Sequence, residues 1–498
     1  MFLTGVGKGR PDLGNGIVNG WPVVTGHEGD IVNAVGAKGP FYAPATGVKI
    51  GDVRAAFGMA LHMHQPMVPE GRPDGGSLQN ADLVSYLDYM MRHQWIHDNH
   101  NAPVFEWCYR RMGHFIPELV DAGKSPRIML DYSGDLLWGL PKMGKSDVLD
   151  DLRRITVDQR YWPYVEWLGT FWSHPVAPST PAGDLRLHVR AWQEHFAAIF
   201  GFEALSRVKG FSLPEMALPN NPDQCYEFVK ALGEYGYRWV MVQEHSVENL
   251  DGSPIKRPHV PHMLVARNSN GEEARIVALI KTQGSDTKLI GQLQPFYEAR
   301  SLNGWQELGG IRIPPCVFQI GDGENGGVMM NEFPPKYKSV FNHEIANSGV
   351  VSLNGTEYLE LLAGLGCGEE KFIPIRPIWQ HRVWAKVGVN PSPEAVAEAI
   401  EECSKEDWRF HMDRDGGNWT QNLTWTKGYE RELSEIENVS ALFHEKYKVP
   451  QPESDQYRRA LIHLMLCETS CFRYWGQGIF TDYARELVRR TRAILAES

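Results

Sequence analysis

Short apolar runs recur along the middle of the chain and alternate with stretches of helical periodicity. The clearest helix is predicted from Leu185 to Leu205, where apolar residues return every three to four positions. The predicted strands are Ala55–Leu61, Arg127–Tyr132, Tyr164–Trp172, Val208–Leu213, Arg238–Gln243, Arg275–Lys281, Cys316–Ile320 and Phe372–Ile378. Strands and helices that alternate in this way favour an α/β fold with a parallel sheet or barrel.

The two ends of the chain have a different character. Residues 1–52 are rich in glycine and proline and show little periodicity. Beyond Ser392, which can cap a helix that has Pro393 in its first turn, helical patterns dominate. We therefore predict an extended N-terminal lead-in (1–52), a barrel (53–391) and a C-terminal helical bundle (392–498). The bundle helices are expected at 393–412, 429–447, 454–474 and 481–495.

Acidic residues follow two of the predicted strands. Glu215 comes after the strand Val208–Leu213, and Asp322 and Glu324 lie in a glycine-rich turn after Cys316–Ile320. The carboxyl ends of barrel strands are where α/β enzymes collect their chemistry. Glycoside cleavage typically requires a pair of such carboxyl groups. Each acid taken alone is also a common helix cap or turn former.

Histidines and one further acid allow several interpretations. His62 and His64 follow the first strand and could form a metal pair with acids such as Asp131 or Asp135, bind sugar hydroxyls, or serve only the structure. Glu166 lies within an apolar strand, where a carboxylate is costly unless it is paired or used. His174 precedes a proline, so either a turn cap or a sugar contact fits it.

The composition excludes some partners and favours another. The net charge is −11 and no basic tract occurs, so nucleic acid and anionic membranes are not expected as partners. No apolar run is long enough to span a bilayer, and the first residues do not resemble a signal peptide. Seven cysteines without a CxxC pair are typical of a reduced, cytoplasmic protein. The 16 tryptophans mildly favour a carbohydrate ligand, because aromatic faces stack on sugar rings.

Five short motifs occur along the chain in a recognisable order. They are His62-Met63-His64-Gln65-Pro66, Glu166 with His174-Pro175, Pro214-Glu215, Asp322-Gly323-Glu324-Asn325, and Glu468-Thr469-Ser470 with Trp475. In this order the chain resembles glycoside hydrolase family 57 over roughly residues 55 to 480. The resemblance implies an incomplete (β/α)7 barrel followed by a C-terminal α-helical bundle. It also implies an enzyme that acts on α-glucans with retention of anomeric configuration.

The resemblance implies roles for individual residues. Glu215 stands at the position of the family's nucleophile, and Asp322 at that of its acid/base. The candidate substrate-binding residues are His62, His64, Glu166, His174, Glu324 and Trp475. The sequence therefore predicts a retaining hydrolase or transglycosylase of the α-amylase or 4-α-glucanotransferase type. Its expected substrate is an α-1,4-glucan or maltooligosaccharide, and neither a metal nor another cofactor is expected.

Two departures from the family pattern keep alternatives open. Cys471 stands where the family's last motif commonly has an aspartate, which removes an expected polar contact. The short interval between Glu215 and Asp322 leaves little room for the inserted domain of branching enzymes. One alternative is a carbohydrate-binding protein that has lost turnover. Another is a metal-dependent carbohydrate hydrolase that uses His62 and His64. The oligomeric state is not indicated.

Overall fold

Seven parallel strands form the centre of the fold. A computed structural model describes residues 14–71, 77–282, 290–324, 331–412, 427–474 and 478–497. The central strands are β1 (Ala55–Met63), β2 (Ile128–Tyr132), β3 (Val165–Gly169), β4 (Gly210–Ser212), β5 (Trp239–Gln243), β6 (Glu273–Lys281) and β7 (Cys316–Asp322). Most of their side chains are buried, as expected for parallel strands covered on both faces.

The seven strands close into a ring. Each pairs in parallel with the next in the order β7-β1-β2-β3-β4-β5-β6, and β6 then returns to β7. The β6–β7 seam consists of one residue pair, Lys281 with Phe318, whereas β7 pairs with β1 along its whole length. The predicted (β/α)7 barrel is confirmed. Its weakest seam lies beside β7, the strand that ends at Asp322.

Some helices pack around the ring of strands, and others come after it in the sequence. Those used below are α1 (Gly134–Lys142), α2 (Ser146–Val157), α3 (Ala182–Phe200), α4 (Pro222–Glu234), α5 (Gly355–Gly364), α6 (Glu430–Lys446), α7 (Asp455–Cys467) and α8 (Ile479–Ala496). Shorter or flanking helices are Glu28–Val35, Tyr42–Thr46, Tyr86–Arg92, Ala102–Arg110, Met112–Asp121, Phe202–Ser206, Gln294–Ser301, Phe333–Ser339, Gln380–Val387, Pro393–Glu406 and Cys471–Tyr474. The helix predicted from Leu185 to Leu205 breaks at Gly201, whose φ of 93° ends α3.

The N-terminal end of the barrel is closed by the start of α5. Asn354 caps this helix in a capping box with Glu357, and Glu357 also forms a buried ion pair with Arg127. The indole N–H of Trp239, the first residue of β5, donates to Thr356 Oγ1 at 2.9 Å. Because these polar groups satisfy one another, a helix start can lie buried at this end of the barrel.

Four further strands lie outside the ring and join the same sheet. They are Val247–Asn249, His262–Arg267, Val350–Ser352 and Ile373–Pro377. The predicted strand Phe372–Ile378 is therefore present as Ile373–Pro377, but it pairs with His262–Arg267 rather than with a barrel strand. Three separate hairpins complete the described strands: Ile17–Val18 with Trp21–Pro22, Met67–Pro69 with Leu83–Ser85, and Gln306–Leu308 with Ile311–Ile313.

The C-terminal part of the chain is helical, as predicted. Helices α6, α7 and α8 pack against one another, and the first expected helix is present as Pro393–Glu406. The single helix predicted at 454–474 is wrong in one respect, because α7 ends at Cys467 and a turn precedes the short helix Cys471–Tyr474. That turn enters the site described below. In the described ranges, no helix combines the length and the apolarity needed to cross a membrane.

The N-terminal lead-in differs from the extended segment that we predicted. Within residues 14–52 the chain forms two helices, Glu28–Val35 and Tyr42–Thr46. Ile31 and Val35 of the first helix belong to the main hydrophobic core. The weak periodicity of this region therefore hid two short helices, which are stabilised by packing rather than by their own length.

Candidate active site

Polar side chains gather at the C-terminal ends of three neighbouring strands. Asp322 at the end of β7 is the register partner of His62 in β1, and His62 is in turn the register partner of Asp131 in β2. The side chains of His62 and Asp131 meet, with 2.9 Å between Nδ1 and Oδ2. Parallel pairing thus brings a histidine and two acids from distant parts of the sequence to one edge of the barrel.

Glu215 lies in a strained turn directly after β4. Its φ of 56° and ψ of 15° place it in the left-handed region, and Met216 follows with a φ of 50°. Residues with a Cβ seldom adopt this conformation, and its cost is concentrated at functional sites. Glu215 Oε1 accepts a hydrogen bond from Ser470 Oγ at 3.3 Å and lies 3.7 Å from His174 Nδ1.

A continuous chain of hydrogen bonds leads from Asp131 to Glu215. Beyond the bond between Asp131 and His62, the two Nε2 atoms of His62 and His174 are 2.7 Å apart. His174 Nδ1 then meets Ser470 Oγ at 2.7 Å, and Ser470 donates to Glu215. We call this series, Asp131–His62–His174–Ser470–Glu215, the relay. It connects a buried carboxylate to the candidate nucleophile through two imidazoles and a hydroxyl group.

The charges of the two imidazoles set the direction of the relay. Burial lowers the pKa of His62, but the hydrogen-bonded carboxylate of Asp131 and the charge of Asp322 outweigh burial and raise that pKa to about 10. Burial, together with charge on neighbouring histidines, holds the pKa of His174 well below its ordinary value. His62 is therefore a cation that donates to neutral His174. The remaining proton of His174 is on Nδ1, where it donates to Ser470.

His64 occupies a separate position beside the relay. Its Nδ1 lies 2.8 Å from Ser133 Oγ and 3.2 Å from Asp135 Oδ1, and its ring stacks on that of His174 with centroids 4.1 Å apart. Its backbone N–H donates to Glu324 Oε1 at 3.2 Å. Its Nε2 is buried and has no hydrogen-bond partner within the described ranges. That nitrogen is accordingly available to a ligand.

Glu324 differs from Glu215 because it is buried and surrounded by other acids. Burial and the charge of Asp322 raise the pKa of Glu324 to about 8, although the cationic His62 opposes this shift. At neutral pH the Glu324 carboxyl group is therefore largely protonated and can donate a hydrogen bond. The turn that holds it is fixed by Arg111, which donates to the carbonyl oxygen of Gly323 at 2.8 Å.

The turn between α7 and the helix Cys471–Tyr474 completes the site. The backbone N–H of Ser470 donates to the carbonyl oxygen of His174 at 2.7 Å, and Thr469 forms a β-bridge with Pro175. One residue earlier, Glu468 is buried against His188 of α3, with 2.7 Å between Oε2 and Nε2. The C-terminal helices therefore position one member of the relay against the barrel.

The structure brings most of the predicted site residues together, with one correction and one exception. Glu215, Asp322, His62, His64, His174 and Glu324 all lie at this edge of the barrel. Glu166 does not. It is the second residue of β3 and lies at the opposite end, where its carboxylate accepts hydrogen bonds from the backbone N–H and hydroxyl group of Thr356 in α5. The predicted sugar contact of Glu166 is therefore wrong. Trp475 lies outside the described residues.

Three residues at the site were not among the predicted site residues. Asp131 had been considered only as a metal partner, and Asp135 likewise, whereas the structure uses both to hold histidine rings. Ser470 was noted only as part of a motif, and it contacts both His174 and Glu215. Asp131, near the end of an apolar run, had a signal in the sequence. Ser470 had none, because its neighbours come from distant segments.

The metal pair considered from the sequence, His62 with His64, is not the arrangement found. Both ring nitrogens of His62 are engaged, with Asp131 and with His174. Among the described histidines, cysteines and acids, the group suited to a metal ion is instead His64, His174 and Cys471, each offering one ligand atom within 4.8 Å of the others.

Similar folds occur among solved structures at low sequence identity. The crystal structure of a 4-α-glucanotransferase from Thermococcus litoralis matches 88% of this chain with a TM-score of 0.50 and 16% identity. The present chain covers 57% of that longer chain. An exo-type maltose-forming amylase from Pyrococcus sp. ST04 has a TM-score of 0.47 and 13% identity, over 89% of this chain and 72% of that one. At such identities the likeness is one of fold. No protein-family profile and no curated protein sequence matches the chain.

Proposed function

We propose that the chain is a retaining glycoside hydrolase or transglycosylase that acts on α-1,4-linked glucans. The observation that carries this proposal is the placement of Glu215 and Asp322 at one barrel edge, next to His174 and His62 respectively. A fold like that of a 4-α-glucanotransferase and the order of the five sequence motifs support the same conclusion.

Glu215 is the proposed nucleophile. The Ser470 hydroxyl group donates to its Oε1, which orients the carboxylate. In the first step, a carboxylate oxygen of Glu215 attacks the anomeric carbon as the glycosidic C–O bond breaks, and a covalent glycosyl-enzyme forms. The strained turn holds this side chain at the end of β4, where a more relaxed backbone would direct it elsewhere.

Asp322 is the proposed acid/base. As an acid it transfers its proton to the departing glycosidic oxygen in the first step. As a base it then removes a proton from water or from a sugar hydroxyl group, which attacks the glycosyl-enzyme and releases Glu215.

The unpartnered nitrogen of His64 and the carboxyl group of Glu324 provide further hydrogen bonds for a substrate. His64 Nε2 is buried and bears a lone pair if Nδ1 donates to Asp135. Glu324 can donate, because its raised pKa of about 8 keeps it largely protonated at neutral pH. A donor and an acceptor side by side suit the hydroxyl groups of a sugar, each of which can both donate and accept.

The test is turnover of maltopentaose by the wild-type chain, followed by chromatographic separation of the products. Shorter sugars alone identify a hydrolase, and a ladder of longer and shorter linear sugars identifies a 4-α-glucanotransferase. The variants Glu215→Gln and Asp322→Asn should both lose this activity. If the wild-type chain binds the sugar but never converts it, the chain is a binding protein and the proposal fails.

Azide rescue on α-maltosyl fluoride separates the two catalytic roles, because fluoride leaves without acid assistance. In Asp322→Ala, azide should attack the glycosyl-enzyme and give the α-glycosyl azide with net retention. In Glu215→Ala, azide should replace the missing nucleophile directly and give the inverted β-glycosyl azide. The opposite assignment of products would exchange the two roles.

A further inference from the structure

Three buried side chains at the site carry donor atoms that zinc prefers. His64 and His174 each offer an imidazole nitrogen and Cys471 a thiol sulfur, and all three atoms lie within 4.8 Å of one another. His64 follows the end of β1, His174 lies in the loop after β3, and Cys471 begins the short helix Cys471–Tyr474. The group is therefore assembled by the tertiary structure and corresponds to no local ligand spacing in the sequence.

His64 is already arranged as a metal ligand. Its Nδ1 faces the Asp135 carboxylate and the Ser133 hydroxyl group, which fixes the tautomer that carries the proton on Nδ1. The opposite nitrogen, Nε2, is buried, and none of the described residues hydrogen-bonds to it. A carboxylate behind one imidazole nitrogen, with the other directed at the ion, is the usual second-layer arrangement of zinc-bound histidines.

The surroundings favour a cation. The carboxyl groups of Glu215, Asp135 and Glu324 all lie close enough to Cys471 to act on it electrostatically. Carboxyl groups beside a buried ligand set attract a divalent ion, and attraction of this kind is weakly screened by salt.

We propose that His64, His174 and Cys471 form a zinc-binding site whose occupation blocks the active site. Imidazole nitrogen and thiolate sulfur are both common zinc ligands, and three protein ligands leave a fourth position open. Zn–N bonds of about 2.0–2.1 Å and a Zn–S bond of about 2.3 Å place tetrahedral ligand atoms roughly 3.3–3.6 Å apart, so the side chains must close by up to about 1.2–1.5 Å, and the stacked rings of His64 and His174 must turn toward one ion. The thiol proton is released to solvent when sulfur binds the ion.

Zinc and the relay compete for His174. The Nε2 of His174 is bonded to His62 and its Nδ1 to Ser470, so coordination through either nitrogen must break one of these bonds. Loss of the Ser470 bond releases the hydroxyl group that orients Glu215, and loss of the His62 bond separates Ser470 and Glu215 from the Asp131 end of the relay. The blocking effect rests on the proposed function, whereas the zinc site itself does not. In contrast to the metal-dependent hydrolase considered from the sequence, zinc here inhibits.

The first experiment measures binding without any reference to turnover. Metal-free wild-type chain is titrated with Co²⁺, which occupies zinc sites and absorbs visibly when bound by thiolate. One equivalent should bind with a sulfur-to-cobalt charge-transfer band, and Zn²⁺ should remove that band. Cys471→Ser and Cys471→Ala should both lose the band. Cys225→Ala, which removes a buried thiol in α4, should retain it.

The second experiment measures zinc inhibition of maltopentaose turnover, with each protein compared with its own zinc-free rate. Wild type and Cys225→Ala should lose at least tenfold in rate at zinc concentrations that saturate the cobalt-competition assay. Both Cys471 variants should be far less sensitive, and a chelator should restore the wild-type rate. Circular dichroism of each variant checks folding, and the two different replacements at Cys471 guard against a single misfolded variant.

Two results would overturn the proposal. The zinc site does not exist if wild type binds no stoichiometric Co²⁺, or if the thiolate band survives in both folded Cys471 variants. The blocking role is wrong if stoichiometric zinc leaves wild-type turnover unchanged or is required for it. A chain that binds cobalt through Cys471 but has no glucan activity would instead refute the proposed function, and the zinc site would stand.

Discussion

The two ends of the barrel contain buried acids that are treated in opposite ways. At the N-terminal end, Glu166 accepts two hydrogen bonds from Thr356, and Glu357 is paired with Arg127. At the C-terminal end, among the described residues, Asp131 Oδ1 and Glu324 Oε2 are buried without a hydrogen-bond partner. The buried acids at the N-terminal end therefore have hydrogen-bond partners, whereas two carboxyl oxygens at the C-terminal end have none among the described residues.

The difference indicates that the N-terminal end of the barrel contributes stability and the C-terminal end contributes the candidate site. Unpaired buried polar groups cost free energy, and so does the left-handed conformation of Glu215. Costs of this kind persist at a site that a ligand can relieve, because a bound substrate supplies the missing hydrogen bonds. The buried acids around α5, Glu166 and Glu357, carry no such signature. They hold the closed end of the barrel rigid.

The largest expected effect is on turnover at the C-terminal end. Glu215→Gln keeps the shape of the side chain but replaces the carboxylate of the proposed nucleophile by a neutral amide, so kcat on maltopentaose should fall by about 10⁴-fold or more. The matched change at the other end, Glu166→Gln, should leave kcat within about twofold. Steady-state kinetics of both variants test the comparison, which fails if Glu166→Gln is as inactive as Glu215→Gln.

The second effect is on stability at the N-terminal end. Glu357→Ala leaves Arg127 buried without its partner and should lower the free energy of unfolding by about 3–5 kcal/mol. As a control, Glu402→Ala breaks an exposed pair with Lys386 and should cost less than about 1 kcal/mol. Urea unfolding measures both. Equal losses in the two variants would contradict the role given to the buried pair.

The third effect is a dependence of stability on pH. Burial raises the pKa of Glu166 to about 8, well above its ordinary value of 4.5. Between these two pH values the folded chain binds a proton that the unfolded chain has released, so this group's contribution to stability is lost as pH rises from about 4.5 through 8.

Glu166→Gln should therefore lose less stability than wild type between pH 5.5 and pH 8. Comparing the two proteins cancels the contributions of other titrating groups, and urea midpoints at both pH values give the measurement. A parallel fall in the two proteins would show that Glu166 is ionised in the folded state.

The smallest expected effect concerns the relay. Ser470→Ala removes the hydroxyl group that donates to Glu215, so kcat should fall about tenfold with little change in KM. Ser173→Ala removes a nearby hydroxyl group that bonds to the carbonyl oxygen of Met465 and does not belong to the relay. It should change kcat by less than about twofold. If the two variants behave alike, the relay does not position the nucleophile.

Much of the fold could be predicted because its signals are local. The apolar runs at Ala55–Leu61 and Cys316–Ile320 are the centres of β1 and β7, and polar residues after such runs must emerge at the C-terminal edge. Glu166 was misplaced because its motif was read without its position in the strand. As the second residue of β3 it had to lie at the other end.

The alternation of strands and helices and the set of strand-end residues could be read from the chain alone, because both follow from the order of side chains along one segment. Folding in three dimensions was needed for the bond of His62 to His174, for the contact of Ser470 with Glu215, and for the group that Cys471 forms with two histidines. These contacts join segments separated by more than a hundred residues. Their geometry depends on strand register and helix packing, which no single segment encodes.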